Sequence, residues 1–288
     1  MKIVKRLHNI IFSVFTITIC ITGTVKAETM DCTAITSLPY TISSSGIYCL
    51  TGDLSTNASS GNAIEITVNN VTLDLNGWRL GGLSAGVGTS AAGIYANQHK
   101  NITIKNGTIR GFYVAIILDD SSPYTTSQGH VIEDIRAEQN RVGGLLIEGR
   151  GSIVRNNQIV DTGGSTLTGF IDGIQVSGSG VRVLNNDIIG VEGADIGSPG
   201  DAYGINAFDA GGSVIADNRV DNITVTGTGS AHGIRIASSS DVLATDNRIT
   251  NVTNTALLYA TSSGKYMNNL TYNVGTAFSG GTPIGINN

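Results

Sequence analysis

The sequence repeats a small residue followed by an aliphatic one at intervals of 22 to 31 residues. We call these pairs the first anchors, and they are Ala63-Ile64, Gly93-Ile94, Ala115-Ile116, Gly144-Leu145, Gly173-Ile174, Gly204-Ile205, Gly233-Ile234 and Ala256-Leu257. A repeat of about 20 to 50 residues is the signature of architectures that stack one supersecondary unit on the next. The repeat therefore predicts a stacked fold rather than a globular one with mixed elements.

Within one repeat, short apolar alternations are separated by Gly, Ser and Asn. In residues 173–188, Ile174 and Val176 flank Gln175, a second alternation follows, and a turn then leads to Ile188. This is a strand pattern with turn residues between strands. The last apolar position of each repeat, which we call the second anchor, is Leu80, Ile109, Ile135, Ile159, Ile188, Val220, Ile249 and Leu270. Three short strands per repeat predict an all-β protein, a single parallel β-helix (solenoid) of about eight rungs.

An asparagine precedes several second anchors by two residues. These are Asn157, Asn186, Asn218, Asn247 and Asn268. Asparagine tolerates the left-handed backbone conformation and bonds its own backbone in turns. Stacked rung on rung, these side chains are predicted to form an internal amide ladder like those of cross-β stacks.

The beginning of the chain has the pattern of a secretory signal peptide. Three basic residues open it, an apolar run follows over residues 10–21, and a small-x-small sequence ends at Ala27. The apolar run is too short to span a bilayer comfortably. We therefore predict a signal peptide over residues 1–27 and a secreted or periplasmic protein.

The remaining chain is predicted to form one domain with capped ends. We expect an N-terminal cap over residues 28–62, the β-helix over 63–275 and a C-terminal tail or cap over 276–288. Cys32 and Cys49 are the two cysteines left after residue 27. In an oxidising compartment they are expected to form a disulfide in the N-terminal cap.

The charge excludes some classes of partner. Four of the 17 Lys and Arg residues lie within residues 1–27, so 13 remain against 22 Asp and Glu, a net charge of −9. This excess of acid argues against nucleic acid and anionic membranes as partners. We expect a monomer.

The return segment, from each second anchor to the next first anchor, varies in length. It takes 6 or 7 residues in the shortest repeats but 14, 16 and 13 in three successive ones. Insertions at one place in successive rungs project from one edge of the stack. Loops 161–172, 191–203 and 221–232 are therefore predicted to stand side by side, and an insertion over 121–129 to emerge elsewhere.

Polar side chains flank the first anchors beside these loops, in the same three repeats. Because neighbouring strands lie about 4.8 Å apart, these side chains are predicted to converge on about 15 Å of surface. The predicted catalytic residues are Asp172, Asp201, His232 and Arg235, and the predicted substrate-binding residues are Gln175, Tyr203 and Asn206.

The residue types in this set are typical of glycoside chemistry. Asp172 and Asp201 can act as acid and base, or as acid and nucleophile, across a glycosidic bond. His232 can orient or tune one of the carboxylates. Arg235 can bind the carboxylate of an acidic sugar. This chemistry needs no cofactor.

The sequence also resembles a known superfamily. The phrases Asn70-Val-Thr-Leu-Asp-Leu-Asn-Gly77 and Asn101-Ile-Thr-Ile-Lys-Asn-Gly107, with the rung pattern across residues 63–270, resemble right-handed parallel β-helix proteins of the pectin-lyase-like superfamily. The resemblance implies a right-handed solenoid. It further implies an extracellular lyase, hydrolase or epimerase with a polysaccharide as partner, although non-catalytic surface proteins also belong to the superfamily.

Three segments are similar to motifs of polygalacturonases. Phe170-Ile-Asp-Gly-Ile174 is similar to their Asn-Thr-Asp-Gly-Ile motif, and Ala231-His-Gly-Ile-Arg235 to their Gly-His-Gly-Ile motif. Between them, Gly200-Asp-Ala-Tyr-Gly-Ile205 stands where that family has Gly-Asp-Asp. The chain departs from the family in lacking the Asn-Thr pair, the second Asp and the Arg-Ile-Lys motif of the next rung, where Asn254-Thr-Ala-Leu-Leu258 stands.

Several functions follow from these observations. The first is a secreted β-helix protein that recognises or processes a neutral or weakly acidic polysaccharide, as a glycoside hydrolase or lyase. The second is a non-catalytic surface, structural or glycan-binding scaffold, and a third is an accessory role in metalloenzyme assembly. A calcium site is a further alternative, although no compact Asp-rich loop supports it. It would use Asp172, Asp201, Glu192 or Asp195.

Overall fold

The computed structural model describes residues 31–288, and the predicted signal peptide lies outside the described residues. The strands are β1 (Thr33–Ile35), β2 (Tyr40–Ile42), β3 (Gly46–Leu50), β4 (Leu54–Ser55), β5 (Asn62–Ile66), β6 (Val71–Asp74), β7 (Arg79–Gly81), β8 (Ala92–Asn97), β9 (Ile102–Arg110), β10 (Val114–Asp119), β11 (Val131–Glu138), β12 (Gly143–Glu148) and β13 (Ile153–Arg155). They continue as β14 (Gln158–Gly163), β15 (Ile171–Ser177), β16 (Arg182–Leu184), β17 (Asp187–Ala194), β18 (Ala202–Phe208), β19 (Val214–Ala216), β20 (Arg219–Thr226), β21 (Ala231–Ala237), β22 (Val242–Thr245), β23 (Arg248–Ala260), β24 (Gly264–Met267), β25 (Leu270–Ser279) and β26 (Thr282–Pro283). Within residues 31–288 the only helical element is a 3-10 turn at Leu83–Ala85. No helix in this range is long and apolar enough to cross a membrane.

All 26 strands belong to one sheet that coils into a single parallel β-helix, as predicted. Three walls follow one another along the chain. The first wall contains β2, β5, β8, β10, β12, β15, β18, β21 and the later parts of β23 and β25. The second wall runs from β1 and β3 through β13, β16, β19 and β22 to β24 and β26. The third wall runs from β4 and β7 through β14, β17 and β20 to the early parts of β23 and β25.

The first anchors form one continuous column in the core. Their aliphatic residues pair in register from Ile64 to Leu257, and Tyr40 and Phe278 extend the column by one position at each end. The isoleucines predicted to point inward are all fully buried, which confirms the repeat as the basis of the core. They are Ile64, Ile94, Ile116, Ile159, Ile174, Ile188, Ile205, Ile234 and Ile249.

The small residue of each first anchor has a steric cause. A Cβ on Gly173 would lie 2.5 Å from the carbonyl oxygen of Gly204 and 2.8 Å from Ile188 Cγ2. Because side chains do not tolerate such contacts, the backbone of each rung can approach the next only where the residue is very small. The small–aliphatic pairs in the sequence thus record the closest approach between rungs.

The predicted asparagine ladder is present, with one difference in register. The Nδ2 of each ladder asparagine lies 3.0 Å from the Oδ1 of the next, in the order Asn157, Asn186, Asn218, Asn247, Asn269. The fifth member is Asn269, and the prediction of Asn268 was wrong. Asn268 is exposed, with a left-handed φ of 55°, and donates instead to Asp246.

Two second anchors were also assigned wrongly. Ala137, not Ile135, pairs with both Ile109 and Ile159. Thr271, not Leu270, pairs with Ile249, and Leu270 is 40% exposed. Both assignments favoured the more apolar residue, whereas the register places a smaller or more polar one in the column.

Strand pairing extends into both predicted end segments. In the N-terminal segment β1 pairs with β3, β2 with β5 and β4 with β7, so residues 33–55 already form part of the stack. The predicted disulfide between Cys32 and Cys49 is present, with Cα atoms 5.8 Å apart. It joins the start of β1 to β3. At the other end β26 pairs with β24.

Candidate functional site

Three predicted site residues lie in one column at the start of the first-wall strands. Asp172 on β15 pairs with Tyr203 on β18, and Tyr203 pairs with His232 on β21. All three are half-buried. The column therefore places a carboxyl group, a phenol and an imidazole on three neighbouring rungs, as the sequence predicted.

A second column lies three residues further along the same strands. Gln175 pairs with Asn206, and Asn206 pairs with Arg235. Arg235 Nη1 donates a 3.0 Å hydrogen bond to Asn206 Oδ1. The flanking members of this column are Leu146 and Leu258, so the polar stretch is limited to three rungs.

The three long return loops stand side by side next to these columns, as predicted. They begin as paired strands, with Gly163 beside Glu192 and Glu192 beside Thr224. Beyond the strands, Asp195 Oδ1 accepts a 3.3 Å hydrogen bond from the Gly200 amide, and its Oδ2 accepts a 3.0 Å bond from the Thr228 amide. These backbone hydrogen bonds lower the pKa of Asp195.

Asp172 is the one carboxylic acid in the two columns. Its Oδ1 has almost no accessible surface and no hydrogen-bond partner. Burial raises the pKa of Asp172 to about 7, and the Asn206 side chain and the charge of Arg235 act in the opposite direction. A carboxyl group that is part protonated at neutral pH can donate as well as accept a proton, which is a property of functional acids.

Asp201 has a different environment from Asp172. Its Oδ2 accepts a 2.7 Å hydrogen bond from the Tyr203 hydroxyl, and its Oδ1 accepts a 2.8 Å bond from the Ser230 amide. Both oxygens are therefore occupied by the protein. Asp201 is brought into the site, but it holds Tyr203 and the third return loop rather than presenting a free carboxylate.

Tyr203 also connects the imidazole and the guanidinium. Its ring stacks on His232 with centroids 5.8 Å apart and planes inclined by 12°. The Arg235 guanidinium carbon lies 5.1 Å from the centre of the same ring, within range of a cation–π interaction. Burial is the main cause that lowers the pKa of His232, and its Nδ1 is buried with no partner. The lowered pKa favours the neutral imidazole, and Nδ1 is a polar atom that the protein leaves without a partner.

Among residues 31–288 no three acidic, His or Cys side chains come together as a set of metal ligands. The residues named for the alternative calcium site have separate roles in the structure. Asp195 joins the loops, Asp201 holds Tyr203, and Glu192 lies exposed on β17.

The sequence analysis missed a second group of acids on the same wall. Glu148 ends β12 and pairs with Ser177, and Asp119 ends β10. These residues stand two positions after Leu146, Gln175 and Ile117, so they share the outward face. In the sequence the outward positions before Gln175, Leu146 and Ile117, are apolar and give no sign of a polar site on these rungs. The next outward position, read in the same way, contains the acids.

One sequence comparison and one structural comparison identify relatives of the chain. The profile of a family described as a right handed beta helix region matches residues 92–287. The chain belongs to this family. The match indicates that the solenoid is right-handed, as the resemblance in the sequence implies. No curated protein matches the sequence.

Several solved structures share the fold of this right-handed β-helix protein. An enzymatically active domain of tailspike protein 2 of bacteriophage CBA120 matches with a TM-score of 0.56 and 16% identity, over 89% of this chain and 39% of that chain. An alginate lyase from Paenibacillus sp. matches with a TM-score of 0.52 and 14% identity, over 84% of this chain and 99% of that one. The A-module of a mannuronan C-5 epimerase from Azotobacter vinelandii matches with a TM-score of 0.51 and 11% identity, over 88% and 87%. The chain thus spans well under half of the tailspike structure, and these likenesses establish the fold alone.

Proposed function

We propose that this β-helix protein recognises and processes a polysaccharide on the outward face of its first wall. The site is the pair of columns around Asp172, with the three long return loops along one side. The structural relatives act on polysaccharides or come from a phage tailspike, and this supports the choice of substrate class. We propose a secreted or periplasmic location, which the Cys32–Cys49 disulfide supports.

The observation that carries the proposal is the state of Asp172. Its Oδ1 is buried without a partner, and burial raises the pKa of Asp172 to about 7. An orphan buried carboxyl oxygen is costly for a fold, because buried polar atoms are nearly always hydrogen-bonded. Asp172 as a whole residue is half-buried, so a turn of its carboxyl group would bring Oδ1 to a sugar hydroxyl or a glycosidic oxygen as the missing partner. Asp172 would then act as the general acid that protonates the leaving oxygen in cleavage of the glycosidic bond.

The neighbouring residues have supporting roles in this proposal. His232, whose Nδ1 has no partner in the protein, would accept a hydrogen bond from a sugar hydroxyl once its side chain turns towards the ligand. Tyr203 offers its ring edge and is held by Asp201. Arg235 is engaged by Asn206 and the Tyr203 ring, so it contributes positive charge to the site while its guanidinium remains fixed.

A second candidate function is glycan binding without cleavage. The observation that favours it is the engagement of both Asp201 oxygens, by the Tyr203 hydroxyl and the Ser230 amide. This leaves Asp172 as the free carboxyl of the predicted pair, whereas glycosidases ordinarily use two.

A screen for reducing ends and unsaturated products over a polysaccharide panel tests both functions. We expect the wild-type protein to cleave one substrate and Asp172→Asn to lose that activity while it still binds. Asp217→Asn changes an exposed turn acid with the same chemistry and should keep full activity. Binding without any product, in wild type as in Asp172→Asn, would establish the glycan-binding function in place of the enzymatic one.

A further inference from the structure

The second group of acids occupies the first wall five residues beyond the Asp172 column. Leu118 pairs with Ile147, so Asp119 and Glu148 follow as neighbours on adjacent rungs, and Ser177 stands beside Glu148 on the next rung. Glu148 is 8% exposed, whereas Asp119 is half-buried and is the more accessible of the two. A ligand can therefore reach the pair from Asp119.

The acid that follows Asp119 has a separate, structural task. Asp120 Oδ2 accepts hydrogen bonds from the Thr126 and Ser127 amides, at 3.0 and 2.9 Å, and Oδ1 accepts one from Ser121. The amide of Asp120 itself donates a 3.0 Å bond to Glu148 Oε2. Through these bonds Asp120 holds the start of the 121–129 insertion next to Asp119 and Glu148.

The pair has no counterion within residues 31–288. None of the ion pairs in this range includes Asp119, Asp120 or Glu148. Burial, followed by the hydrogen bond and charge of Asp119, raises the pKa of Glu148 to about 7, against the effect of the Asp120 amide. At neutral pH the Glu148 carboxyl group is therefore part protonated and can both donate and accept hydrogen bonds.

An independent feature points to a ligand at this place. Ser177 is fully buried and lies on the outward side of the wall beside Glu148, yet its Oγ has no hydrogen-bond partner. Tyr124 is a candidate partner, because burial raises the pKa of its hydroxyl and Ser177 acts in the opposite direction. The two side chains are nevertheless not arranged for a hydrogen bond, so Ser177 Oγ stays without a partner. A buried hydroxyl without a partner is uncommon and needs an explanation.

Two tyrosines flank the acids. The Tyr95 hydroxyl donates a 3.4 Å hydrogen bond to Asp119 Oδ2. Tyr124, on the insertion, is half-buried, and the negative charges of Glu148, Asp209 and Asp119 all raise its pKa, after burial as the largest cause. The neighbours of the pair are therefore aromatic and acidic, and within residues 31–288 no cationic side chain forms an ion pair with it.

We propose that Asp119, Glu148 and Ser177 form a second sugar subsite that takes an uncharged sugar residue of the same polysaccharide. Adjacent sugar hydroxyls both donate and accept hydrogen bonds, which matches two neighbouring carboxyl groups and a serine hydroxyl that has no partner in the protein. The tyrosine rings provide apolar surface for the faces of the sugar ring. A uronic acid is excluded, because its carboxylate would meet like charges with no cation between them.

This inference rests on the proposed function and extends it to the class of substrate. Ser177 lies five residues after Asp172 on β15, about 17 Å along an extended strand. One oligosaccharide of several sugar rings can therefore span both subsites. The combined surface selects a neutral polysaccharide over an anionic one.

Calorimetric titration with oligosaccharides tests the second subsite. The probes are hexasaccharides of glucose, mannose and galactose, and oligomers of mannuronate, guluronate and galacturonate. We expect a neutral hexasaccharide to bind the wild-type protein, and uronates to bind at least tenfold more weakly or not at all. Asp119→Asn and Glu148→Gln should each weaken neutral binding about tenfold or more. The double variant should show a smaller difference in affinity between neutral and anionic oligosaccharides than wild type does.

The controls separate this subsite from the first. Glutamine keeps an oxygen for the Asp120 amide, so Glu148→Gln should fold with an unchanged circular dichroism spectrum, and Asp217→Asn should bind as wild type does. Preference for a uronate, or neutral binding indifferent to both substitutions, overturns the second subsite. If Asp172→Asn loses cleavage while the Asp119 and Glu148 variants bind as wild type does, the proposed function stands without the second subsite. If the Asp119 and Glu148 variants lose neutral binding and Asp172→Asn keeps full cleavage, the second subsite stands and the role of Asp172 is wrong. Binding of none of the probes overturns both.

Discussion

The Tyr203 hydroxyl donates a 2.7 Å hydrogen bond to Asp201 Oδ2, and the Tyr203 ring stacks on His232 on the next rung. The acid predicted to be a catalytic partner of Asp172 thereby becomes a support for an aromatic side chain. We infer that Asp201 and Tyr203 act as one unit in the site, because the hydrogen bond between them fixes the ring that stacks on His232.

A double-mutant cycle tests this unit. We expect Tyr203→Phe and Asp201→Asn each to weaken glycan binding, and the double variant to weaken it no more than either single one. Residues in direct contact typically show coupling of about 0.5–3 kcal/mol. Binding free energies from calorimetry would measure it. Additive effects would mean that Asp201 contacts the ligand by itself.

Asp172 makes a prediction about stability and pH. Its pKa is about 7 in the folded protein, against 3.8 as the ordinary value. The folded state thus keeps a proton that the unfolded state loses, so this group reduces the free energy of unfolding as pH rises from about 4 to about 7. Three pKa units correspond to about 4 kcal/mol as an upper value. Asp172→Asn removes the group, so this variant should become more stable than wild type towards pH 8.

Urea unfolding at pH 4.5 and pH 8 provides the measurement for Asp172→Asn. The difference between variant and wild type isolates this group, because other titrating groups contribute equally to both proteins. Asp217→Asn should follow wild type at both pH values. A variant that loses the same stability at both would show instead that Asp172 is a turn residue needed for folding.

The core column gives a prediction for packing. Ile205 is fully buried between Ile174 and Ile234, so Ile205→Ala should reduce the free energy of unfolding by about 2–5 kcal/mol. Ile196→Ala is the matched control, because Ile196 is 38% exposed in the second return loop. Its effect should stay within about 0.5 kcal/mol. Chemical denaturation of the two variants side by side measures the contrast.

The asparagine ladder predicts a second contrast. Asn218 accepts hydrogen bonds from Asn186 and donates to Asn247 inside the stack, whereas Asn268 lies at the surface. Asn218→Ala leaves buried amide groups without partners and should cost about 1–3 kcal/mol. Asn268→Ala should cost far less. Equal losses in the thermal or urea midpoint would contradict the assignment of Asn269, and not Asn268, to the ladder.

The fold could be predicted from the sequence because stacking imposes the same demand on every rung. A glycine or alanine is required wherever a Cβ would meet the next rung, as at Gly173, and an aliphatic residue must then fill the core. The prediction of second anchors failed at two rungs where the core column accepts a less apolar side chain. Ala137 and Thr271 fill the second-anchor column with less apolar side chains than expected.

The candidate site was predicted in position more than in chemistry. Strand register makes neighbours of Asp172, Tyr203 and His232. This register can be predicted, because each of the three residues has the same spacing to its first anchor. The hydrogen bonds of Asp201 could not be predicted from sequence spacing, because they depend on where the return loop places Ser230. Nor does it show that the 121–129 insertion buries Glu148, since that requires the fold of the loop.

The hydrogen bonds of Asp195 have a consequence for access to the first wall. One carboxylate holds Gly200 in its own loop and Thr228 in the next. The second and third return loops are therefore joined through one side chain, and displacing either loop breaks a hydrogen bond to Asp195. We infer that the two loops move together, so a ligand that contacts both rungs is expected to shift them more readily than one that contacts a single rung.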